Sequence, residues 1–144
     1  MIEQDTIKLL RECDAGVKMG VDSINDVLKY VKSDSLEKHL IDCRVEHEKL
    51  GNEMHELLNK YHDEGKNPNP IAKGMSWMKT NVKLTFNDSD KVVADLITDG
   101  CNMGVKSLNK YLNRYKAADE TSKDITKRLI RLEQGLANNM QSYL

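Results

Sequence analysis

Proline, aromatic residues and long apolar runs are scarce in this chain, and each scarcity removes a class of structure. Two prolines and eight glycines in 144 residues leave few helix breaks, and 5% aromatics is little material for a sheet-rich core. The longest apolar runs are three residues, far short of the roughly 20 that a membrane-spanning helix needs. Charge of one sign is missing too. Twenty-two Lys and Arg face 23 Asp and Glu, for a net charge of -1 and a pI near 6.4, so no basic field draws the chain to nucleic acid or anionic lipid. Cys13, Cys43 and Cys101 are too few and too far apart for a disulfide framework or zinc-type doublets, which suits reduced thiols. The expectation is a soluble, cytoplasmic, single-domain protein spanning 1–144, with neither nucleic acid nor membrane as partner.

What is present is helical periodicity. Ile7, Leu10, Asp14, Val17, Val21, Ile24, Leu28 and Val31 step by threes and fours, the spacing that lines one helix face. Leu36, Leu40, Cys43, His47, Leu50, Met54, Leu57 and Tyr61 form a second stripe after a short polar link, where Asp34 and Glu37 resemble a capping box and Gly65 would close the helix. So short a link folds two long helices into an antiparallel hairpin over about 3–63. Asn67 to Pro70 is a breaker cluster; Asn69 would cap a short helix starting at Pro70, and Met75, Trp77 and Met78 lie on it within a long crossover at about 64–88. Ser89 or Asp88 opens a second hairpin over about 89–143, with stripes Ala94, Thr98, Cys101, Val105, Leu108, Leu112, Tyr115 and Ile125, Leu129, Leu132, Leu136, Met140, Tyr143. The fold predicted is an all-α four-helix bundle of two antiparallel hairpins.

The chain repeats itself. Shifted by 84 residues, Gly16 to Leu28 aligns with Gly100 to Leu112 with seven of thirteen positions identical, where chance supplies on the order of one. Two copies of a hairpin predict a pseudo-twofold bundle in which the first and third helices are neighbours. The glycine pairs Gly16/Gly20 and Gly100/Gly104 recur in both copies, although each mid-helix glycine costs about 1 kcal/mol relative to alanine. Close approach of helix backbones, a bulky ligand or an unwound turn would each reward the missing side chains. Asn25 and Asn109 also repeat, beside the stripes, and are expected to hydrogen-bond along or across the bundle.

Asp14 and His47 stand at full core positions, where an unpaired polar group is penalised. Reflecting the first hairpin through its turn sets them roughly 9 Å apart along the bundle axis, with Asp14 near Glu53 or Met54 and His47 facing Gly20. Glu12, Glu46, Asp99 and Glu133 border the stripes, either turned inward as ligands or solvated. His39, Cys43 and His47 share a helix face four residues apart, but the two histidines differ by about 12 Å of rise, so at most one joins Cys43 at a single ion. No nucleophile motif, phosphate loop or dinucleotide fingerprint appears.

Two hairpins, a long crossover, a Glu-rich second helix, the connector stretch Gly74 to Lys79 and the Asp99–Gly100 start of the third-helix repeat together resemble the ferritin-like superfamily, and more narrowly the bacterial family called domain of unknown function 2383. The likeness spans nearly the whole chain. Such metal enzymes place a Glu on each of two helices and Glu-x-x-His on each of the others. Here the residues three before His39, His47, His55 and His62 are Leu36, Arg44, Asn52 and Asn59, so no Glu-x-x-His exists. The resemblance therefore implies the fold more than an enzyme. The expected role is non-catalytic, through a homo-oligomer such as a dimer or through another protein, with no cofactor and with Met75, Trp77 and Met78 either a contact surface or buried against their own bundle. The alternative is a degenerate or mononuclear site using His47, Asp14, Glu12, Glu46, Asp99 and Glu133 for iron, manganese or zinc, in a storage or oxidative-stress role that the resemblance implies.

Overall fold

The computed structural model describes residues 2–67 and 89–144. These residues form four α-helices and a terminal 3-10 turn, with no strand among them: α1 (Ile2–Leu28), α2 (Asp34–Asn59), α3 (Ser89–Arg114) and α4 (Glu120–Met140). The short helix expected from Pro70, its Asn69 cap and the Met75, Trp77 and Met78 surface lie outside the described residues. No described helix is long and apolar enough to cross a membrane.

Ser33 caps α2, its hydroxyl accepting from the Leu36 amide, and Asp119 caps α4 by accepting from Ser122 N at 2.8 Å. The cap expected at Asp34 is thus one residue earlier, leaving Asp34 in the first turn, where its charge suits the helix dipole. The end of α2 is a second correction. The helix stops at Asn59, and His62 takes the left-handed conformation at φ 56°, so Gly65 does not terminate it. Gly65, at φ 91°, serves a turn further along.

Helix α1 packs beside α2 and α3, α4 packs beside the same two, and α1 meets α4 across the centre. The first and third helices are neighbours, as the repeat predicts. At one end Asp90 on α3 accepts both Lys32 N (2.7 Å) and Ser33 N (3.0 Å) of the α1–α2 turn. At the other, Thr6 and Asp5 on α1 accept from Asp119 N and Ala117 N of the α3–α4 turn. Each hairpin therefore satisfies the loop amides of the other. Helices α2 and α3 both begin beside the 29–33 turn and run in the same direction, so α2 ends at Asn59 at the opposite end, and from there the chain comes back to Lys66, beside Glu12 and Asp14 at the middle of α1.

The apolar stripes locate the inner faces but not their full width. Leu9, Cys13 and Val27 on α1 and Val93 on α3 are completely buried, whereas Ile7, Val21, Leu28, Val105 and Leu112 sit at the margin. Each helix touches two or three neighbours, which demands a face broader than one seam. The core is also divided. One cluster joins Leu10, Val17, Leu50, Met54, Leu108 and Leu129; the other joins Ile24, Leu40, Cys43, Ile97, Cys101 and Leu136. Between them along every helix lies a polar level.

Asp90→Ala is expected to destabilise the protein by about 1–2 kcal/mol, because two loop amides lose a charged acceptor. Urea unfolding checks this, and Asp90→Asn should lose clearly less.

Candidate functional site

The polar level takes one residue from each helix: Gly20 from α1, His47 from α2, Gly104 from α3 and Glu133 from α4. His47 Nε2 lies 2.7 Å from Glu133 Oε1, and Nδ1 lies 2.8 Å from the Cys43 carbonyl oxygen and 3.4 Å from its thiol. The imidazole is 1% exposed and Glu133 9% exposed. Burial by itself lowers the pKa of His47, but the bonds to Cys43 and Glu133 outweigh it and raise the pKa to about 10. His47 is thus an imidazolium at neutral pH, both N–H groups donating, one to the Cys43 carbonyl and one to the Glu133 carboxylate. Cys101 stands next to the carboxylate, and its thiol is pushed up first by burial and then by Glu133. Cys13, in the other cluster, bonds Thr126 Oγ1 at 3.1 Å and is pushed up to about 12, mainly by burial.

Among the repeated glycines, Gly20 answers to these side chains. A Cβ on Gly20 would stand 2.7 Å from His47 Nε2 and 3.6 Å from Glu133 Oε1, and one on Gly104 would stand 3.6 Å from Glu133 Oε2. What fills the lane at this level is the buried pair, rather than a close backbone. Gly16 meets only Leu129, at 3.8 Å.

Asp14 forms a separate cluster. Its carboxylate is 1% exposed and accepts from Lys18 Nζ (2.7 Å), His55 Nε2 (3.0 Å) and the Lys66 amide (2.9 Å). A Cβ on Gly65 would collide with this carboxylate, so the left-handed glycine lets the chain after α2 close on α1. Lys18 also donates to Lys66 O and Asn67 Oδ1. The cluster lies on a cleft of about 570 Å³ with Val17, Val21 and Gly51 in its wall and, among the described residues, no hydroxyl or thiol in its lining.

Of the six candidate ligands, the structure brings only His47 and Glu133 together. Asp14 is held by Lys18, His55 and the Lys66 amide; Glu12 pairs with Lys66; Glu46 is exposed and pairs with Lys49 at 3.1 Å; Asp99 is exposed. His39 turns its ring edge to Tyr143. Asn25 accepts from Arg44 across α1 and α2, and Asn109 donates to Val105 O along α3. Among the described residues no group of three or more His, Cys, Asp or Glu is placed to hold a metal ion, so the donor set does not fit a six-ligand dimetal centre. The sequence reading missed His55 and Cys101 as partners of the buried carboxylates; Lys18, four residues after Asp14, was the one neighbour whose spacing announced it.

No family model, curated protein or solved structure matches this chain.

A histidine whose folded pKa is raised stabilises the fold fully below its unfolded value of 6.5 and progressively less up to about 10. Stability should therefore fall by about 1.4 kcal/mol per pH unit over pH 7–8.5, before the Cys13 and Cys101 thiols add losses of the same sign above pH 9. Glu133→Gln should flatten that slope and remove about 3–5 kcal/mol at pH 7; urea titrations at several pH values measure both. Gly20→Ala should destabilise by about 1–3 kcal/mol through overpacking on His47. Gly135→Ala, with nothing within 4 Å of the new Cβ, should stabilise by up to about 1 kcal/mol.

Proposed function

We propose that the protein is a non-catalytic, ferritin-like bundle that works through its outer surface, by self-association into a homo-oligomer such as a dimer or by binding another protein. The observation that carries this reading is the state of the inward carboxylates. Glu133 is spent on His47 and Asp14 on Lys18, His55 and the Lys66 amide, so the charge that would serve a substrate or metal holds the fold instead. The ferritin-like connection is supported by the parallel α2 and α3, whose joined ends, Asn59 and Ser89, lie at opposite ends of the bundle.

A second reading, a degenerate or mononuclear site for iron, manganese or zinc in a storage or oxidative-stress role, is favoured by one feature: His47 and Glu133 converge beside the Cys101 thiol. A metal there must displace the proton bonded between imidazole and carboxylate.

Light scattering of concentrated protein is expected to report a species larger than the monomer, and a monomer at every concentration refutes self-association. Elemental analysis after purification, followed by titration with each metal, is expected to find no stoichiometric ion. One ion per chain, lost in Glu133→Gln, would instead establish the second reading.

A further inference from the structure

His47 and Glu133 hold corresponding places in the second helices of the two hairpins, each fourteen residues after its cap, Ser33 on α2 and Asp119 on α4. Gly20 and Gly104 are equivalent positions of the repeat, each next to this level. Hairpin one contributes glycine and imidazole, hairpin two glycine and carboxylate. Within the repeat the first helices of the two copies carry similar apolar side chains, with Ile24 equivalent to Leu108 and Leu28 to Leu112. Apolar packing of that kind tolerates exchange of similar side chains and discriminates poorly between like and unlike hairpins.

We propose that the His47–Glu133 pair is a pairing code, in which opposite charges at equivalent places of a duplicated hairpin select hairpin one with hairpin two and reject the packing of two like hairpins from separate chains. Two copies of hairpin one would bury His47 against His47, and two copies of hairpin two would bury Glu133 against Glu133. Like charges so placed in a dry core leave both unpaired and repelling, a penalty of the kind that sets partner choice in coiled coils. Among the described residues this is the one ion pair between the hairpins with both members buried. Arg128–Glu53 also crosses the seam, but its side chains are 38% and 48% exposed, where such pairs are weak. Gly20 fits the same account, since a side chain there would take the place of the imidazole.

Charge reversal in the full chain tests this. His47→Glu and Glu133→His singly should raise the unfolding equilibrium constant on the order of 100- to 1,000-fold in urea at pH 7, and the reversed pair H47E/E133H should return it to within about tenfold of the parent. A reversed pair no more stable than the worse single variant overturns the proposal, as do single variants equal to the parent. The neutral variant H47L/E133L supplies a second measurement. Refolded from urea at high concentration, it should gain dimers whose cross-links join α2 of one chain to α2 of another, seen by native and cross-linking mass spectrometry. A distribution identical to that of the refolded parent refutes the discrimination. Surface self-association forms without unfolding and is common to both proteins, so its absence leaves this result readable.

Discussion

One buried bond, from the His47 imidazolium to the Glu133 carboxylate, constrains the rest of the molecule. Removing two charges from water is costly unless each keeps its hydrogen bonds. Here the imidazolium donates to the Cys43 carbonyl and to Glu133. That requirement fixes how far α2 and α4 are apart and how they are aligned. It also explains why α1 carries glycine at that level, since a methyl group there would meet the ring. The helix propensity lost at Gly20 is thus offset by a bond made between two other helices.

The same pair splits the core into two apolar clusters joined through a polar waist. Register follows from this. A slide of α4 by one turn would set His47 against Leu129 and Ile130 or against Leu136 and Ala137, stranding a charge in hydrocarbon. An all-leucine seam would accept such a slide at small loss. Around the waist, Asp90, Thr6 and Asp5 let each hairpin bind the other's turn, so specificity rests on polar bonds at three levels, while the bulk of the stabilisation comes from apolar burial.

Asp14 solves a similar problem differently. It too is a carboxylate in the core face, but its partners are a lysine one turn on, a histidine of α2 and the backbone after Gly65. These ties anchor the chain leaving α2 onto α1. The protein thus holds two inward carboxylates in two distinct electrostatic settings, one sealed between hairpins and one at the wall of an open cleft.

The four long helices, the tight hairpin turns, the duplication and the inward placement of Asp14 and His47 were legible in the sequence, because each is a local or periodic property fixed by 3.6 residues per turn and by the polar links. The rule that a buried charge must be paired also followed from the sequence; the name of the partner did not. Glu133 sat at a stripe margin with Glu12, Glu46 and Asp99, and nothing in its spacing set it apart. Its partnership with His47 spans 86 residues, and Cys101 and His55 were no more visible. Only the packing of one helix against another, which sets rotation and axial register to within a fraction of a turn, decides which of several marginal side chains faces inward and what it meets there.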